Sequence, residues 1–145
     1  MAEHCAVHGF SFYLPLREET KIYQRRRVTV HKPLFPGYFF VAFAADERVQ
    51  ILKTNNVVRI LEPSHQRDFL HQLAQVRRAL RADPTLNACN MLEKGHRVRI
   101  LAGAFQGIEG IVETVKGRAR VLLNVEMIGR AIGVEVDREF LELVE

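Results

Sequence analysis

Pro33-Leu34-Phe35-Pro36-Gly37-Tyr38-Phe39-Phe40-Val41-Ala42-Phe43 is the stretch from which the rest of the chain is best read. Each proline fixes its own φ and drives the preceding residue towards extended geometry, while Gly37 is free to take a φ that other residues avoid. The spacing predicts a rigid turn followed at once by an apolar strand. Successive strand side chains point to opposite faces, so Phe39, Val41 and Phe43 share one face and Tyr38, Phe40 and Ala42 the other. Both faces are apolar. Such a strand is either covered on both sides or offers one aromatic face to a partner.

Upstream, β-branched and polar residues alternate from Tyr23 to Lys32, after the triplet Arg25-Arg26-Arg27. This predicts a strand with a basic start, antiparallel to 37–43. Arg17 to Lys21 reads as a polar loop, Phe10 to Pro15 as a strand, and Ala2 to His8 as the tail of a helix stopped at Gly9. Downstream, Asp46 caps a short helix through Thr54, Asn55-Asn56 stops it, and Val57 to Leu61 reads as a further strand. Pro63-Ser64 opens a longer helix whose Phe69, Leu73, Val76 and Leu80 form one apolar stripe. Its opposite face, with Arg67, Arg77, Arg78 and Arg81, is solvated or touches phosphate.

That helix ends at Asp83-Pro84, and the polar run 83–92 reads as a linker between two domains. Past it the pattern changes to about five short strands punctuated by Gly103, Gly107, Gly110, Gly117, Gly129 and Gly133, with Lys116-Gly117 as a hairpin turn. That density predicts a small closed or nearly closed barrel.

A length of 145 residues with 48% hydrophobic and 26% charged residues is ordinary for a folded soluble protein of one or two domains. No apolar run approaches the ~20 residues that span a bilayer, and Met1 to Cys5 lack the plan of a signal peptide, so the chain reads as cytoplasmic with no membrane partner. Cys5 and Cys89 show no framework spacing and read as reduced thiols. Charge is uneven: residues 1–92 carry thirteen Lys/Arg against eight Asp/Glu, and residues 93–145 eight against nine. A basic front fits a nucleic-acid partner, although a solvated surface of this charge is equally common. Nothing in the sequence has the spacing of a catalytic set, since the barrel glycines lead into a strand rather than a helix. His4, Cys5 and His8 are too few for a structural zinc site without a fourth ligand, so no metal or other cofactor is expected.

The stretch from Pro33 to Val41 resembles the signature of the N-terminal domain of NusG-type transcription elongation factors. Gly95-His96-Arg97-Val98-Arg99-Ile100, with Gly103 to Val112, resembles the KOW motif of their C-terminal domain, and Met127-Ile128-Gly129-Arg130-Ala131 resembles its later part. The two motifs stand in the family's order and cover nearly the whole chain. The resemblance implies an α+β protein that is not an enzyme. Residues 1–82 would form an antiparallel sheet with flanking helices, 83–92 a linker, and 93–145 a small SH3-like KOW β-barrel. The family opens with a Trp-Tyr-type strand ahead of the segment matching Phe10 to Pro15. This chain has nine residues there and no tryptophan, so a sheet lacking its first strand is expected.

The same resemblance implies a monomeric elongation or antitermination factor. Tyr38, Phe40 and Ile60 would dock on the clamp helices of RNA polymerase. Arg25, Arg26, Arg27, His31 and Lys32 would approach non-template DNA or the upstream duplex. Phe105, Met127, Ile128 and Arg130 would recruit a small-subunit ribosomal protein or the termination factor Rho. The long helix and the short 116–117 turn resemble the specialised antiterminators of the family. A ribosome-associated RNA-binding module is the alternative, and the near-neutral charge of 93–145 weighs against it.

Overall fold

The computed structural model describes Cys5, residues 9–115 and residues 117–144. Most of the helix expected over 2–8, and Lys116 of the expected turn, lie outside these. The turn at the centre of the signature forms as the sequence predicts. Tyr38 N donates to Phe35 O at 3.1 Å, and Gly37 holds φ +86°, the pattern of a turn with proline second and glycine third.

What surrounds the turn differs from expectation in pairing. The strand after it is short, β4 at Phe40–Ala42, and it pairs with β1 at Ser11–Tyr13 rather than with the basic strand. The basic strand, β3 at Arg26–Pro33, pairs instead along its whole length with β2 at Leu16–Tyr23. Local closure explains the choice. Gln24 and Arg25 both have positive φ, 46° and 67°, the two-residue primed turn whose twist suits a hairpin, and a short loop costs little closure entropy. The segment expected to be a polar loop is therefore half of a two-stranded ribbon. Its foot is fixed: Glu18 N donates to Pro84 O at 2.7 Å, Leu34 N to Pro15 O at 2.8 Å, and Arg17 Nε to Leu86 O at 3.2 Å.

A 3₁₀ turn at Ala45–Glu47 leads into α1 at Arg48–Leu52. Glu47, not Asp46, provides the cap, accepting from Ala44 N at 2.8 Å. Asn55, in the left-handed region at φ 59°, ends the helix as expected. Val57 to Leu61 is not a strand. β-branched residues favour extended backbone, but a strand exists only where a neighbour takes up its N–H and C=O groups, and none joins this segment among the described residues.

The long helix α2 spans Gln66–Ala82 and buries Leu73, Val76, Ala79 and Leu80. Pro84 stops it, since the residue before proline is pushed out of helical geometry, and Asp83 is extended. The expected linker contains one more strand, β5 at Ala88–Asn90, paired with β9. The remaining strands are β6 (Arg97–Ile100), β7 (Glu109–Val115), β8 (Arg118–Val125), β9 (Arg130–Val136) and β10 (Leu141–Leu143). With β5 they form one antiparallel sheet in the order β10-β6-β7-β8-β9-β5. Gly110 is required there: a Cβ on it would lie 2.6 Å from Leu122 O and 2.7 Å from Val121 Cγ1.

One core joins the parts. Leu34 and Phe35, just before the turn, cluster with Leu73, Val76, Ala79 and Leu80 of α2 and with Val98, Ile100, Ile108, Val121, Leu123, Val125, Ile132 and Val134 of the sheet region. The deepest residues of the signature are thus Leu34 and Phe35, whereas Phe39, Val41 and Phe43 are only half-buried.

Candidate docking cleft and basic ribbon

The signature strand and the extended 56–63 segment face each other across a cleft of ≈ 810 Å³. Its walls include Tyr38, Phe39, Phe40, Val41, Phe43, Ile51, Val57, Ile60, Phe69, Met127 and Ile128. The three residues expected to dock on a partner, Tyr38, Phe40 and Ile60, are brought together there. Tyr38 is exposed, but Phe40 also packs inward. Its ring meets Phe69 at 5.8 Å and Phe35, edge-on, at 6.4 Å. Phe39, on the opposite strand face, stacks on Phe12 at 5.5 Å. The cleft is apolar because β4 and the 57–61 segment each carry large side chains that no further strand covers among the described residues. Sequence reasoning missed Val57 and Phe69 as wall residues, because a strand was assigned to the first and plain core to the second.

The four residues expected to recruit a second partner are divided. Met127 and Ile128, on a 3₁₀ turn after β8, stand on the wall of the same cleft as Tyr38. Phe105 instead lines a separate hollow of ≈ 420 Å³ with Ala102, Arg118, Glu135 and Phe140. Arg130 reaches Asn90 Oδ1 at 2.7 Å and so ties β9 to β5.

A row of polar side chains along α2 joins it to the sheet. Gln72 Oε1 accepts from Glu126 N at 3.0 Å, Gln75 Oε1 from Glu109 N at 3.4 Å, and Arg78 Nη2 donates to Gln106 O at 3.4 Å. These three lie one helical turn apart, on one face. Arg78 of the expected solvated helix face is therefore engaged. Arg77 and Arg81 lie near Tyr13, whose hydroxyl is pushed up in pKa by burial and pulled back by these two cations.

The five cations expected to meet nucleic acid all lie on or at the tip of the ribbon, in two groups. At its foot His31 Nε2 is 3.4 Å from Glu18 Oε1, and Lys32 Nζ is 2.7 Å from Glu19 Oε2. The Lys32 bond holds the Glu19 carboxyl below the usual range, and Glu19 raises the ammonium of Lys32. At the tip Arg25, Arg26 and Arg27 are exposed, and no ion pair engages them among the described residues. Ile22 and Tyr23 beside them are exposed as well, a feature that sequence reasoning missed.

Comparison with known proteins places the chain in a family. The family profile described as "Transcription termination factor nusG" matches residues 2–79, more than half of the chain. The chain belongs to the NusG family. It is 30% identical over 130 residues to the "Transcription termination/antitermination protein NusG" of Lactococcus lactis subsp. lactis (strain IL1403), covering 80% of this chain and 65% of that protein. It is 23% identical over 144 residues to the protein of the same description from Borreliella burgdorferi, covering 90% of this chain and 78% of that one. The chain thus spans somewhat under two thirds of the first relative's length.

Proposed function

We propose that this chain is a transcription elongation and antitermination factor that acts by contact rather than catalysis. Residues 1–82 dock on the clamp helices of RNA polymerase through Tyr38, Phe40 and Ile60. The basic ribbon meets non-template DNA or the upstream duplex, and residues 93–145, as an SH3-like KOW unit, recruit a small-subunit ribosomal protein or Rho. The protein works in the cytoplasm.

The observation that supports this reading is the convergence of Tyr38, Phe40 and Ile60, from two separate stretches, on one apolar cleft. Aromatic anchors bury a large area for few lost rotamers, so a cleft of this kind carries binding energy. Met127 and Ile128 share its wall, so a helix entering it meets the recruiting surface as well.

The test is retention of RNA polymerase by the immobilised full chain. The Tyr38→Ala, Ile60→Ala double variant is preferred to any change at Phe40, because Phe40 also supports the core. A loss of retention of tenfold or more, about 1.4 kcal/mol, is expected with the fold intact by circular dichroism. Unchanged retention would rule out the cleft as the docking surface.

A further inference from the structure

We propose that the tip of the β2–β3 ribbon is a base-stacking site for single-stranded nucleic acid, with Tyr23 as the platform and Lys21, Arg25, Arg26 and Arg27 as phosphate contacts. It rests on the nucleic-acid contact proposed above. It adds which state of the polymer is bound and which side chain holds the base.

Two observations meet at this tip. The first is charge. Between Thr20 and Thr29 the chain carries four cations and no acid, while the two acids of the ribbon, Glu18 and Glu19, engage His31 and Lys32 at its foot. The second is exposed apolar surface. Tyr23 is 58% and Ile22 74% exposed, large apolar groups at the end of a hairpin that water reaches on both faces.

Register puts these groups in pairs. Tyr23 lies opposite Arg26 and Lys21 opposite Val28, all on one face, while Ile22 lies opposite Arg27 on the other. An aromatic ring flanked by cations is the arrangement that stacks on a base while neighbouring side chains meet the phosphates. Duplex DNA hides the faces of its bases and would leave Tyr23 without a partner. An acidic protein surface would satisfy the cations but not call for an exposed aromatic ring between them.

The turn sets one cation at the outermost point, since Arg25 holds the left-handed φ of 67° that a two-residue hairpin turn requires.

The experiment is fluorescence anisotropy of the full chain with a labelled DNA single strand of about 15 nucleotides, enough for one site, and with the same sequence as a duplex, across a salt series. The single strand is expected to bind more tightly. Its affinity should fall with salt at a log–log slope of about −3, from four phosphate contacts. Tyr23→Ala should weaken single-strand binding about tenfold without changing that slope, and Tyr23→Phe should restore it. Arg26→Gln should flatten the slope by about 0.7. Equal affinity for both forms, or a Tyr23→Ala variant that binds the single strand as the parent does, would overturn the stacking proposal while leaving phosphate contact intact. Binding that is absent, or unaffected by both Arg26→Gln and Arg27→Gln, would overturn the nucleic-acid reading itself.

Discussion

The β2–β3 ribbon and the β7–β8 pair are antiparallel hairpins of nearly equal length, yet water reaches both faces of the first and only one face of β8. In β8, Ala119, Val121, Leu123 and Val125 are buried on one side, while on the other Leu122 is buried, Arg120 and Asn124 are half-buried and Arg118 is exposed. In the ribbon, nearly every residue is exposed or half-exposed. Strand geometry is therefore reached by two routes. The sheet is held by apolar burial, which stabilises by roughly 25 cal/mol per Å². The ribbon is held by its backbone ladder, its two-residue turn and the bonds at its foot, so its surface residues are left free for other work.

The largest expected effect tests that difference directly. Leu123→Ala should destabilise the fold by about 3 kcal/mol, through lost burial and the cavity left behind, whereas Ile22→Ala on the ribbon should change it by less than about 0.5 kcal/mol. Urea denaturation measures both, and comparable losses would break the comparison. Next in size is Gly110→Ala, whose new methyl group meets the backbone of β8. Overpacking of this kind costs about 1–3 kcal/mol, visible as a lower denaturation midpoint.

Arg25→Gly should act in the opposite direction and only locally. Relief of a left-handed non-glycine residue is worth about 1 kcal/mol, so amide hydrogen exchange in β2 and β3 should slow while that of β8 stays the same. A uniform change across both hairpins would show that the ribbon is not an independent unit.

The smallest effect concerns pH. Glu109 Oε1 accepts from Arg99 Nε at 2.9 Å and Nη2 at 2.7 Å, and this pair holds the Glu109 carboxyl below its usual range. A carboxyl whose pKa is depressed in the folded state contributes stability above its unfolded value, and that stability is lost as pH falls through the depressed one. Because the pair is partly exposed and screened by solvent, its share is small. Glu109→Gln should remove this share at neutral pH and leave a shallower loss on acidification, read from midpoints between about pH 6 and pH 3.

The sequence made the turn at Pro36-Gly37 and the stripe of α2 plain, because proline, glycine and a period near 3.6 act through local sterics and one buried face. The ribbon was legible only in part. β3 alternates and was read as a strand, but Arg17 to Lys21 is wet on both faces and shows no period of two. Val57 to Leu61 misled in the reverse sense: its residues favour extended backbone, but pairing depends on a neighbour that composition does not reveal. β5 was hidden because three residues carry too little pattern. Within the candidate site, Tyr38, Phe40 and Ile60 follow from the family resemblance, and their shared cleft does not. That Met127 and Ile128 stand on the same wall follows from tertiary packing alone.

The distribution of charge has one more consequence. Residues 16–33 hold six of the 21 Lys/Arg and two of the 17 Asp/Glu, leaving fifteen of each elsewhere. The whole formal charge of +4 therefore equals that of the ribbon. A neutral body bearing one charged arm is pulled towards a polyanion through that arm alone and so also feels a torque, over the roughly 8–10 Å that salt allows. Such a molecule turns before it touches, and the arm arrives first.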